Sequence, residues 1–385
     1  MIHRNAQSYR GNTVRTLSRK AAAWAGGAII AAGGVGAGVY AAVTHDWSPA
    51  SRPHAAARPV PPPPLRLVSV SPAAGSRGVN GADNITVTFN RPLPASAPLP
   101  QLSPALAGSW QREGNAVVFT PETGIPAGTR ETVTVGSGDV TVRSDEKVFF
   151  TTATYSTLRL QELLAQLGYL PMRWTPDLGA GIPDESPAAQ LAAAYQPPPG
   201  TFTWPRGYPG SLRSFWREGS ANVLDQGAIT GFEADHGLTI DGVASARVWA
   251  DLLRAAEKGD GNRHGYSYAI ASQSIPESLT IWHNGREVFS SPANTGISIA
   301  PTPVGTFPVY EKLPFQIMQG TNPDGSHYAD PVQWVSYFEG GSAVHYIPRG
   351  SYGYPQSLGC VELPYSAAEE AYPYLPYGTL VTVTP

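Results

Sequence analysis

Ser357-Leu358-Gly359-Cys360-Val361-Glu362-Leu363 contains the only cysteine of the 385-residue chain. With no partner for an internal disulfide, a leftover thiol in an exported chain stands out as reactive. Gly359 lets the backbone turn tightly just before the thiol, so that successive N–H groups can converge on one point. Such a point is an oxyanion hole for a thiol attacking a carbonyl. A thiol of ordinary pKa, about 8.5, is mostly protonated at neutral pH and needs a base or a cationic neighbour. Of the eight histidines, His345 is the best candidate. It ends the strand-like run Phe338–Val344, and a return of fifteen residues from there can bring imidazole to sulfur. His327 is the runner-up, in the turn-like context Asp324-Gly-Ser-His-Tyr. Taken alone, a cysteine is as often a buried small hydrophobe as a nucleophile. Spacing alone leaves His345 evenly balanced between base and core residue. Gly359 before the thiol and Ser357 three before it tilt the reading toward catalysis. One cysteine and scattered histidines give no ligand-spaced set, so neither a metal nor a cofactor is expected.

The block around this motif, 266–385, reads as β-rich. Ser278–Trp282 and Glu287–Ser290 flank Asn284-Gly285, a strong hairpin turn signal. Thr379–Val383 supplies a final strand, and a short helix is expected near Ser366–Ala371. Residues 156–256 carry helical stripes instead. Leu160, Leu163, Leu164 and Leu167 lie on one face, Ala228, Ile229 and Phe232 on a second, and Ser245 caps a third helix with Val248, Trp249, Leu252 and Leu253 inward. A long insertion, 172–222, rich in Pro, Gly and Trp (Trp174, Trp204, Trp216), interrupts them. Its aromatics suit stacking on sugars about as well as covering the bundle's own core. Residues 65–153 alternate apolar and polar in short runs: Ile85–Phe89, Ala116–Thr120, Thr132–Val135, Val140–Val142 and Val148–Thr152. Turn signals at short intervals between them point to a β-sandwich.

Composition sets the outer limits. The 41 Gly and 38 Pro residues, with only 14 % charged residues, suit β-modules and linkers rather than coiled coils. The first twenty residues hold five Lys/Arg and no acid, so the rest of the chain is clearly acidic and offers no groove for nucleic acid. Residues 21–43 are uncharged and reach roughly 34 Å as a helix, enough to cross a bilayer core. The basic flank orients the N-terminus inward and the remainder outside. An uncleaved anchor is favoured over a cleaved signal, which would leave the protein secreted. Residues 44–64 form a Pro/Ala-rich stalk. No obligate protein partner is evident.

Three resemblances follow from these residues. The opening of block 65–153, SPAAGSRGVNGADNITVTFNRPL, resembles bacterial Ig-like domains. LRLQELLAQLGYLP with AITGFEADHGLTIDGVASARVWADLL resembles the small three-helix peptidoglycan-binding domain, apart from the 172–222 insertion. Asn294-Thr-Gly296, Thr302-Pro-Val-Gly-Thr-Phe307, His345 and Ser357-x-Gly-Cys-Val resemble the L,D-transpeptidase catalytic domain. The fold implied is therefore multi-domain, a β-sandwich, a three-helix module and a β-rich catalytic domain. The last resemblance implies that Cys360 attacks the carbonyl between the third residue of a tetrapeptide stem and its terminal D-Ala. A thioester forms, and the amine of another stem's third residue resolves it into a third-to-third cross-link. It further implies that His345 moves the protons, that Gly359 and Cys360 N–H groups hold the oxyanion, that the Tyr346 carbonyl orients the imidazole, and that carbapenems acylate the thiol. Peptidoglycan stems and glycan are the implied partners, in the cell envelope. Tyr328, Trp334 and Tyr337 are candidate walls for the stem peptide. Two positions depart from the family. Leu358 replaces a common His, and Glu362 stands where Arg or Asn is usual, an acid that can alter substrate contacts or raise the thiol pKa. Water as acceptor would make the protein an L,D-carboxypeptidase, and disabling by Glu362 would leave a wall-binding scaffold.

Overall fold

Burial of positions 85, 87 and 89 on one side of Ile85–Phe89 is the period-two pattern of a half-buried strand. The computed structural model describes residues 64–385 apart from 123, 137–145 and 181–185. Its N-terminal block is built from β1 (Leu67–Ser71), β2 (Ile85–Phe89), β3 (Gln101–Ser103), β4 (Gly108–Glu113), β5 (Ala116–Pro121), β6 (Arg130–Val135) and β7 (Glu146–Thr151). These make two antiparallel sheets, ordered β1-β2-β5-β4 and β3-β6-β7. Ile85, Val87, Phe89, Val117, Phe119, Val133 and Phe150 fill the space between them, so the expected sandwich forms. The strand expected at Val140–Val142 lies outside the described residues, as do the basic tail, the apolar segment 21–43 and the stalk up to residue 63. Among the described residues, no helix is long and apolar enough to cross a membrane.

One inward position of this sandwich is an acid. Glu131 is fully buried on the same face of β6 as Val133 and Val135, and neither carboxyl oxygen has a partner in hydrogen-bonding geometry. Burial pushes its carboxyl up to about 7, against weak opposition from the Ser103 and Thr132 backbones. The folded state therefore holds this proton more tightly than the unfolded chain. Stability falls as pH rises from the ordinary carboxylate range to 7, by up to about 3 kcal/mol. Glu131→Leu is expected to abolish that fall and to raise stability most above neutrality. Urea melts of both proteins at about pH 5 and about pH 8 check this; equal slopes with pH would refute it.

The middle block contains α1 (Thr157–Gln166), β8 (Arg173–Pro176), α2 (Pro187–Tyr195), β9 (Gly200–Thr203), α3 (Gly210–Ser214), α4 (Val223–Asp235) and α5 (Ala246–Lys258). The three expected helices form as α1, α4 and α5. Ser245 caps α5 by accepting the Val248 N–H (3.2 Å), and Asn222 and Asp225 close a capping box on α4. The insertion adds α2, α3 and the β8–β9 ribbon, so the block is more than a three-helix module. Trp174 is buried, and Trp204 and Trp216 pack against the same core, so the insertion's tryptophans cover the bundle. That core does not stop at residue 256. It continues through Tyr266, Tyr268 and Leu380, and residues 62–385 form one compact unit.

The C-terminal block has two sheets. The first runs β12-β11-β10-β18-β13, from β10 (Ser267–Ser272), β11 (Ser278–His283), β12 (Arg286–Pro292), β13 (Gly305–Pro308) and β18 (Leu380–Thr384). The second runs β14-β15-β16-β17, from β14 (Glu311–Thr321), β15 (His327–Glu339), β16 (Ser342–Tyr346) and β17 (Val361–Leu363). Asn284 and Gly285 both take positive φ in the tight β11–β12 turn, as the pair requires. Ala271, Ile281, Phe338, Val344, Val361 and Val381 pack the sheets together, and α6 (Tyr365–Ala371) adds Ala368 and Ala371. The run expected as one strand over 338–344 is broken at Gly340-Gly341, a turn that starts β16 and places His345 inside it.

Candidate active site

β16 and β17 are parallel, with Val344 opposite Val361, His345 opposite Glu362 and Tyr346 opposite Leu363. Strand alternation then sets Cys360, one residue before β17, on the same face as Glu362 and His345. The sulfur lies against the Gly340-Gly341 turn, 3.8 Å from the Gly341 carbonyl, with the Ala343 N–H beside it. Burial pushes the Cys360 thiol up to about 11; the Ala343 N–H opposes this and the Glu362 charge adds to it. His345 is buried, and its Nδ1–H donates to the Tyr346 carbonyl (3.1 Å), which leaves the lone pair on Nε2. Burial lowers its pKa, opposed by that hydrogen bond and by Glu362. At neutral pH the thiol and the imidazole are therefore both uncharged at rest. A thiol in that state attacks a carbonyl only when its proton leaves sulfur as the bond forms.

The cysteine loop is held from several sides. Ser357 Oγ donates to the Cys360 carbonyl (2.6 Å) and accepts the Gly359 N–H (3.1 Å). Thr302 Oγ1 donates to the same carbonyl (3.3 Å) and accepts the Gly296 N–H (2.9 Å). Gly359 has φ +111°, a conformation that a side chain would strain. Asn294 pairs with Glu362, and Gly296 with Ser357, as isolated bridges. Beneath them Glu277, 1 % exposed, accepts the Thr295 N–H (2.5 Å) and the Thr295 hydroxyl (2.7 Å). Of the two expected oxyanion donors, the Gly359 N–H is engaged by Ser357. The Cys360 N–H has no protein acceptor among the described residues.

Glu362 is not a stray charge. Its carboxylate accepts from Arg349 Nε (2.8 Å) and Nη2 (2.5 Å), a two-pronged ion pair, and from Asn294 Nδ2 (3.4 Å). Sequence reasoning missed Arg349 and Glu277. Arg349 lies only four residues after His345, but nothing in its neighbourhood signals a partner at 362. Burial first, and then the Cys360 thiolate wherever it forms, push the Tyr328 and Tyr337 phenols up. Trp334 is elsewhere: its ring packs on the inter-sheet core, 5.6 Å from Tyr372. His327 is exposed at the start of β15, 3.3 Å from Thr321 Oγ1, and is not part of the cluster. Among the described residues no group of acids, histidines and cysteine could hold a metal ion.

The two-sheet domain thus brings a thiol, an imidazole and a paired carboxylate to one strand-pair face. Residues 268–383 match the L,D-transpeptidase catalytic domain, and residues 62–152 match the bacterial Ig-like domain. The chain thus carries an L,D-transpeptidase catalytic domain behind an Ig-like domain. Solved structures similar to it include an L,D-transpeptidase from Mycobacterium smegmatis, 18 % identical, spanning 84 % of this chain and 100 % of that one at a TM-score of 0.29. Another is L,D-transpeptidase 3 from Mycobacterium tuberculosis with a faropenem-derived adduct, 17 % identical over 83 % and 98 % of the two chains, TM-score 0.29. The catalytic domain of an E. faecium L,D-transpeptidase is 26 % identical over 31 % of this chain and 96 % of that one, TM-score 0.29. No curated protein matches the chain.

Proposed function

We propose that the protein is a peptidoglycan L,D-transpeptidase that forms third-to-third stem cross-links through a Cys360 thioester. The observation that carries this is the anchored Cys360 carbonyl and backbone turn beside a histidine whose Nδ1 is already committed. His345 Nε2 takes the thiol proton as sulfur adds to the carbonyl, and returns it to the departing D-Ala amine. The incoming amine of a second stem attacks the thioester, loses a proton to His345 and releases the thiol. The Cys360 N–H faces the developing oxyanion; the Gly359 N–H joins it only by leaving Ser357 Oγ. Tyr328 and Tyr337 flank the stem peptide. The helical block is read as the part that docks on the wall, and residues 21–43 as the tether.

Cys360→Ala is expected to lower D-Ala release from a tetrapeptide-stem muropeptide by at least about 10³-fold. Mass spectrometry of protein and products checks it and separates the acceptors. Cross-linked dimer supports transpeptidation, whereas trimmed monomer alone would mean that water is the acceptor. Release that persists in the variant would remove Cys360 from the chemistry.

A further inference from the structure

The acid beside the histidine is fixed by a cation that lies in no recognised motif. In the β16–β17 register Glu362 stands directly opposite His345, two residues from Cys360 on the same face. Its side chain is 4 % exposed, so its charge acts through protein rather than water. Arg349, on the chain that leaves β16, holds both carboxylate oxygens, and Asn294 Nδ2 adds a third contact. At His345 the two charges oppose each other, the carboxylate favouring the imidazolium and the guanidinium disfavouring it. The other titratable groups coupled to this cluster are Asp330, Tyr328 and Tyr337 of β15 and Tyr352 of the following loop, with the Tyr346 phenol acting in turn on Tyr352. Asp330 acts on both His345 and Arg349.

We propose that Arg349 is a positioning residue for the thiol–imidazole pair, holding Glu362 where it steadies the transient imidazolium while neutralising its charge toward the sulfur. This rests on Cys360 as nucleophile and His345 as base. The pair stands where the family usually has Arg or Asn two positions after the cysteine: here a cation reaches the place from 349, and an acid is added next to the base. A two-pronged guanidinium–carboxylate contact suits this task because it fixes orientation as well as charge.

The test uses the single cysteine, whose alkylation by iodoacetamide reads Cys360 alone. Rates are measured against pH for the full chain and its variants. Arg349→Met leaves the buried carboxylate unpaired, so the inflection is expected to move up and the rate at about pH 8 to fall about tenfold. Glu362→Met should move the inflection down. The double variant should return to within about threefold of the parent if charge pairing is the cause. It should nevertheless remain slow, by about tenfold or more, in acylation by a carbapenem, because no carboxylate then stands beside the imidazolium. Arg349→Lys, which keeps the charge with fewer contacts, should fall between parent and Arg349→Met; it serves if Arg349→Met does not fold. Superimposed profiles for parent and Arg349 variant, or a double variant as impaired in alkylation as Arg349→Met, would overturn the proposal. If the profiles shift as stated but stem peptides never release D-Ala, the positioning of the thiol stands and the transpeptidase reading fails.

Discussion

Phe232→Ala is expected to destabilise the helical and catalytic blocks together, by about 4 kcal/mol. Phe232 is fully buried in α4, meets Tyr169 edge-on at 5.5 Å and stacks on His236 at 4.0 Å. Its removal leaves a void that close-packed neighbours fill only in part. The cluster it belongs to includes Tyr266, Tyr268 and Leu380, side chains of the C-terminal block. Both β10 and β18 pack against the bundle through these residues, and the two strands lie next to each other in the sheet. Loss of the helical core therefore removes one wall of the catalytic sheet. Urea unfolding followed by circular dichroism and by access of a thiol reagent to Cys360 should give coincident transitions, both shifted by the same amount. A thiol transition that stays in place while the helical signal moves would show that the blocks fold independently.

Glu277→Ala should be as costly and more damaging to chemistry. The carboxylate holds both donors of Thr295, whose carbonyl in turn accepts the N–H groups of Gln356 and Ser357 at the start of the cysteine loop. Two buried donors left unpaired cost about 1–3 kcal/mol each, so a loss on the order of 3–5 kcal/mol is expected. A displacement of about 1 Å in the loop is enough to slow attack about 10²-fold. Acylation of Cys360 by a carbapenem, followed by mass spectrometry at a temperature where the variant is still folded, measures the second effect. Glu277→Gln keeps the shape and one acceptor, and should fall between the two. An alanine variant that acylates at the parent rate would show that the 294–296 segment holds the loop without Glu277.

The elements were legible where pattern and burial coincide. The leucine stripe of α1, the alternation of β2 and the Asn284-Gly285 turn all lie in short segments whose own periodicity states what they bury. The helical insertion was not, because its tryptophans carry the same composition whether they face a ligand or a core; packing on the core shared by α1, α4 and α5 decides it. The cysteine and histidine could be singled out because one is unique and the other lies a plausible return away. Arg349 and Glu277 could not: each acts on a residue 13 or 18 positions distant through a contact that exists only after the strands have paired. An aromatic in a strand faces one of two sides, which composition does not distinguish, and β15 packs Trp334 on the inter-sheet core at a residue with φ +59°. Glu131 shares the period-two phase of Val133 and Val135, so alternation sets it on the inward face even though an acid is the residue type least expected there.

The connection between α5 and β10 is short and stitched down. Gly259 ends the helix with φ +64°, the Asn262 N–H donates to the Leu167 carbonyl (2.7 Å), and its side chain bridges the Gly168 and Gly265 carbonyls (3.0 and 3.1 Å). With the common core beneath it, this joins helices and catalytic sheets into one packed unit. The distance from the outer face of the helices to the sulfur is thus set by side-chain packing, as in a fixed-gauge tool, and not by the length of a linker.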